Sequence, residues 1–265
     1  LAGLAHHLGL DVLTEVHGET ASPIHAEYLA QNEYHLGNVH AHRGELQLAE
    51  EQFRIARRLL DGLVAHDPDN AIWRVDRAIS AYHLGELSRV IDDVDLARDE
   101  LLLARSDLSQ LLSIDPADIR SARFLALTER SLGLLENSPD LIVKANERAS
   151  VLVADIEVLK PGTALVAAMV AESYGHVLLE SGSRDSATAA WTEALDLLVR
   201  IDDSGLTHQA LRHALLVNLD QDSAAAPIRA RLHEAGFRDP RFYFSEGALD
   251  AVADASGPGD PLPVR

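Results

Sequence analysis

The chain has no cysteine in its 265 residues, which excludes a disulfide framework, a thiol nucleophile and a cysteine-based zinc site. Positive charge is scarce too. Lys and Arg number 23 against 42 Asp and Glu, a formal net charge of −19. Such a surface repels phosphate backbones and anionic lipid unless basic residues are segregated onto one face. No basic stripe is visible, so neither a nucleic-acid partner nor membrane insertion is expected. The sequence lacks an unbroken apolar run of the roughly 18 residues that a bilayer span requires. No segment alternates at period two for long enough to make a strand, which leaves an all-α chain. Enzyme signatures are missing as well: there is no phosphate-cradling glycine loop after a strand, no HExxH, no GxSxG and no kinase catalytic loop. The chain begins at Leu1 with no signal-like segment and reads as an excised part of something longer. A soluble protein of the cytoplasm or periplasm is expected, with no enzymatic activity.

What is present is one unit written several times. At one constant offset, Leu36-Gly37 recurs as Leu84-Gly85, Ala49 as Ala97, Ala56 as Ala104 and Asp67-Pro68 as Asp115-Pro116, with Phe53 answered by Leu101. Leu132-Gly133 lies the same offset further on, and Ala145 falls where Ala49 and Ala97 place it. A looser copy follows at Tyr174-Gly175, Ala187, Trp191 and Ala194, with the interval from glycine to alanine unchanged. Units that contact only their neighbours stack into one elongated solenoid.

Helical periodicity runs through every copy. Ser22-Pro23 offers a cap and a first-turn proline for a helix reaching about His42 and stopping at Gly44. Its partner runs from Glu45 to Ala65, and Asp67-Pro68 is expected to cap the next helix. Further pairs follow over about Asp69–Arg89 with Asp93–Ser113, Ala117–Glu136 with Pro139–Leu159, and Thr163–Ser181 with Asp185–Ile201. Lys160-Pro161-Gly162 is the strongest breaker. The repeats are therefore placed at about 22–67, 68–115, 116–161 and 162–202, with a flanking helix over 1–17 and capping helices over 205–235. Phe237, Phe242, Tyr243 and Phe244 suggest that the following segment folds back onto the last helices. The solenoid is expected to extend to about 252, with 253–265 a disordered tail.

The slots Leu-Gly, a small alanine at a fixed interval after it, a large side chain four later and alanine three later resemble the tetratricopeptide repeat, whose helices cross closely over small residues. The ordinary repeat is about 34 residues, and the extra length divides into about two turns in each helix. Both helices lengthen without rotating their apolar stripe off the core. The variant is similar to long-helix repeats that follow bacterial Ser/Thr kinases or winged-helix regulators. The first repeat departs from the pattern, with Glu33 in the usual tryptophan slot and His40 in the usual tyrosine slot. The resemblance implies an α-α superhelix of antiparallel hairpins.

Other chemistry is weak. Asp92, Asp93, Asp95, Asp99 and Glu100 lack the glycine and ligand spacing of a calcium loop and read as a helix start. His35 and His42 share a helix face but stand roughly 10 Å apart, too far for a common ion. No metal and no cofactor is expected. The resemblance implies a concave groove lined by the first helix of each pair. Its positions fall on Gln31, Tyr34, Asn38 and His42, then Tyr82, Glu86 and Arg89, then Arg130 and Asn137, then Glu172, His176 and Glu180. Such a groove suits an extended or helical peptide. The expectation is a non-catalytic protein-interaction or scaffold module with a protein or peptide partner, and with a homodimer open to it through the ends of the array. The alternative is the sensor or regulatory part of a bacterial signalling kinase or transcription regulator, closing around a small ligand.

Overall fold

The computed structural model describes residues 23–154, 160–201 and 205–242; the helix expected over 1–17, Tyr243, Phe244 and the tail over 253–265 lie outside the described residues. Ten α-helices follow in order: α1 Pro23–His42, α2 Leu46–His66, α3 Ala71–Val90, α4 Val94–Ile114, α5 Ile119–Leu135, α6 Pro139–Ala154, α7 Pro161–Glu180, α8 Arg184–Arg200, α9 Leu206–Asn218 and α10 Asp222–Glu234. A short 3-10 turn, Pro240–Phe242, ends the described chain. No strand occurs among the described residues.

Helix starts at Pro23, Ala71 and Ile119 keep the offset of the sequence repeat, and the interval to the next start, Pro161, is shorter. The repeat glycines explain the hairpins. A Cβ on Gly37 would lie 2.6 Å from the Phe53 ring, one on Gly85 2.8 Å from Leu101, and one on Gly175 would run into the Trp191 ring. Each glycine therefore lets its own second helix approach through the large side chain in the matching slot. In the third pair that slot holds Ala149, and Ile142 fills the space instead, 2.6 Å from a Cβ on Gly133. Ala49, Ala97, Ala145 and Ala187 are all fully buried at the crossings.

The turns differ from expectation at one position. Asp67 does not cap the helix that follows but ends the one that precedes, in extended conformation, as Asp115 does in the next pair. A residue before proline is pushed out of the helical region. Asn70 and Asp118 are the true caps, accepting hydrogen bonds from the Trp73 amide and from the Arg120 and Ser121 amides. Left-handed residues close the first helices: Gly44, Asp92, Asn137, Gly182 and Asp220 all have positive φ. Asn137, expected in the groove, thus has a local reason to be there, since asparagine tolerates this conformation better than most residues.

Each helix packs against its neighbours in sequence, and the first helices also touch one another, α3 with α5, α5 with α7 and α7 with α9. Successive second helices make no comparable approach. The array therefore curves with the first helices on its inner side. One large core runs from Ala78 to Leu215, through the second, third and fourth hairpins into α9. The first hairpin packs differently, through small separate clusters around Leu60 and Trp73 and around Ala49, Phe53 and Leu84. Helix α7 is long and apolar enough to cross a membrane by length and composition, but over half of that stretch is buried against its neighbours, as suits a core helix.

Candidate functional site

The concave face has two halves of different character. The tail half is a polar chain that crosses four first helices. From α9, the Asn218 amide donates to Glu172 Oε1 at 3.4 Å and lies 3.3 Å from His176 Nε2. His176 and Glu172, one turn apart on α7, meet at 2.9 Å. The Ser173 hydroxyl donates to Glu172 Oε2 at 3.2 Å and accepts from Arg130 Nε at 2.8 Å. Arg130 Nε also donates to the Met169 carbonyl, and Nη1 reaches Glu86 Oε1 on α3 at 3.5 Å. Arg89 then donates to both oxygens of Glu86, at 2.9 and 3.0 Å.

Glu86, Arg130 and Glu172 are almost fully buried, and buried charges persist only when paired. Burial would raise the Glu86 carboxyl, but Arg89 and then Arg130 outweigh it and bring it down to about 2. The hydrogen bond to Glu172 raises His176 above the ordinary histidine value in spite of its burial. Beside this chain opens a cleft of about 650 Å³, lined by Arg89, Arg130, Asn137, Glu172, His176 and Glu180 among others, with Pro240 and Arg241 forming its far wall. Six residues named from the sequence therefore share one cleft.

The head half is filled. Tyr34 Oη lies 3.1 Å from His83 Nε2. Asn38 donates to the Tyr34 carbonyl, and its Oδ1 accepts from Arg241 Nη2 at 3.2 Å. His42 Nε2 lies 3.5 Å from Asp239 Oδ2, and its ring lies 5.4 Å from that of Phe237. Asn38 and His42 do not line an open groove; they hold the segment that follows α10, and Tyr34 supports His83 beside it. Tyr82 is withdrawn from the groove as well. It is 4% exposed, packs edge-on against Phe124 and belongs to the large core, and burial drives its hydroxyl well above the ordinary tyrosine value. Gln31 and Tyr34 border a smaller cleft of about 330 Å³ between α1 and α3, which Asp76, Arg120, Arg123 and Phe124 also line.

Sequence reasoning missed His83, Ser173, Asn218, Asp239 and Arg241. His83 follows a recognised groove position and carried no separate signal. Arg241 lies 158 residues from His83 and 203 from Asn38, so no local pattern joins them. The expected fold-back onto the last helices describes Phe237, which packs with Ala210 and Leu232, and the turn Pro240–Phe242, which also lies against α9. Beyond Phe237 the chain continues across to the first hairpin.

Paired long helices, glycines beneath large side chains and a curved inner layer define a tetratricopeptide-like α-superhelix. Among solved structures, the chain is similar to a Rap protein complexed with Competence and Sporulation Factor, at 13% identity and a TM-score of 0.51 over 91% of this chain. The match spans 61% of that protein's length. A MamA protein and PilF of Pseudomonas aeruginosa are also similar, at 14% identity each, with TM-scores of 0.34 and 0.29 over 88% and 87% of this chain and 98% and 99% of theirs. No family model and no curated protein matches the sequence.

Proposed function

We propose that the chain is a protein-interaction scaffold whose concave face holds a polypeptide segment, and that the contact is made in the tail cleft. The observation that carries this reading is the convergence of Arg89, Arg130, Glu172, His176 and Glu180 from three first helices on one cleft of about 650 Å³. The ion pairs behind it fix those side chains before any partner arrives, which reduces the ordering that binding would otherwise require. Both signs of charge line the walls, where small-molecule pockets are predominantly apolar. That favours a peptide with alternating polar groups over a compact ligand. The Rap protein was solved with a bound factor, so a superhelix of this kind can carry a ligand.

Tyr82 is a core residue, so the exposed wall is the place to test. A random peptide display library is selected against the full chain, and the enriched peptides are measured by fluorescence anisotropy. His176→Ala with Glu180→Arg is expected to weaken them by more than tenfold, with the helical circular dichroism unchanged. Peptides that bind the double variant as well as the wild type, or a library that yields no binder, would overturn the reading.

A further inference from the structure

The first helices touch serially from α3 to α9, but α1 and α3 make no comparable approach. In their C-terminal halves the chain's own residues 239–241 reach side chains of both helices, next to direct bridges from Tyr34 to His83 and, further back, from Trp73 to Glu27. Phe237, Asp239 and Arg241, at alternate positions, are all buried to 5% exposure or less. Arg241 donates from Nε and Nη2 to the two oxygens of Asp239 at 2.9 and 2.7 Å, and from Nη2 to Asn38 Oδ1 at 3.2 Å. Its Nη1 lies 3.1 Å from His83 Nδ1, and its guanidinium carbon lies 5.7 Å from the centre of the Phe53 ring. Asp239 faces His42, whose backbone carbonyl accepts from the Arg238 amide at 2.8 Å. That is the one backbone hydrogen bond from the segment to the first hairpin among the described residues. All remaining recognition is by side chains, as at a peptide-binding site.

We infer that Asn38, His42, Phe53 and His83 form a socket for a protein segment carrying an aromatic residue, an aspartate and an arginine at alternate positions, and that segment 237–241 fills it in cis. The inference rests on the reading of the concave face as a protein-binding surface and names the chemistry that its head half accepts. Two features suit an exchangeable occupant. Its charged pair is internal, so the arginine and aspartate leave together and no lone charge remains in the socket. The socket's own histidine, His83, is held neutral by burial, with Arg241 pushing the same way. A tethered occupant competes at millimolar effective concentration, so a partner with the same three side chains must bind more tightly than the tether does.

The test uses the full chain and a synthetic peptide with the sequence of residues 235–243, titrated by calorimetry. Asp239→Ala with Arg241→Ala vacates the socket. This variant is expected to bind the peptide at least tenfold more tightly than the wild type, and to ignore a control peptide whose aspartate and arginine are both alanine. Equal binding by variant and wild type, or equal binding of the two peptides, would overturn the inference. Should the double variant fold poorly, Arg241→Gly alone is heated with and without ethylguanidinium. The small cation is expected to raise the melting temperature of this variant and not of the wild type, and no such difference would again discard the socket. Arg241 also borders the tail cleft, so the two readings are separated by the variants at His176 and Glu180, which make no contact with the socket residues and are expected to leave binding of the peptide 235–243 unchanged.

Discussion

The two halves of the concave face are built from the same repeat and reach opposite states. In the tail half the inner helices stay in contact, their ion pairs run from one to the next, and a cleft remains beside them. In the head half α1 and α3 meet through side chains only, the apolar contacts break into small clusters, and a distant segment reaches both helices. The consensus slots alone do not separate the halves, since the third repeat carries Glu129 and Glu136 where the first carries Glu33 and His40. Glu33 stands in the tryptophan slot and is nonetheless buried, and His40 stands in the tyrosine slot, where it pairs with Glu45 across the hairpin loop at 2.5 Å.

The sharpest way to break this comparison is to remove one charge from each half. Glu86→Ala strands Arg89 and Arg130 inside the array and is expected to cost about 3–5 kcal/mol, measured by urea unfolding. Arg241→Ala is expected to cost less than about 2 kcal/mol, because the segment can undock and return Asp239 to water without unfolding the helices. Equal losses would show that the segment is as integral as the tail network. The next effect concerns the glycines that let the hairpins close. Gly175→Ala forces a Cβ into the Trp191 ring and is expected to destabilise by roughly 1–3 kcal/mol. Gly62→Ala, on α2 where a Cβ meets nothing within 4 Å, is expected to stabilise by about 0.5–1 kcal/mol through helix propensity. Thermal melts of the two variants check both signs.

The smallest effect is the response to pH, and the halves are expected to move in opposite directions. His83 lies well below the ordinary value of 6.5, because of burial first and then Arg241, with Glu86 opposing and His42 adding. The unfolded or undocked state takes up the proton more readily, so docking of the head half is weakened as pH falls below 6.5. His176 lies above 6.5, through its hydrogen bond to Glu172 and the charges of Glu172 and Glu180, against burial and Arg130. Its contribution is fully present below 6.5 and is lost as pH rises through the raised value. Histidine ring resonances followed by NMR across this range separate the two.

Much of the architecture was legible in the sequence because it rests on small residues at fixed intervals. Gly37, Gly85 and Gly175 sit under Phe53, Leu101 and Trp191 in turn, and a constant offset of that kind survives translation into helices. The third hairpin, where Ile142 replaces an absent large residue at Ala149, was less regular in sequence and is less regular in space. The helix cap was misread at Asp67 because Asp-Pro resembles a helix start while the proline holds the aspartate extended. Of the groove positions, those on α5 and α7 share one cleft, since the repeat carries them there in phase. The occupation of the head half was not legible, because the contacts between Arg241 and both Asn38 and His83 depend on how far the whole superhelix turns. No window of sequence contains that quantity.

The docking of segment 237–241 against the first hairpin is tested most directly by hydrogen exchange at the Arg238 amide, which donates to the His42 carbonyl. In the wild-type chain it is expected to exchange roughly a hundredfold or more slowly than an unstructured amide, and to lose that protection in the Asp239→Ala/Arg241→Ala variant while core amides such as that of Leu101 keep theirs. An Arg238 amide that exchanges at the unstructured rate in the wild type would contradict the account.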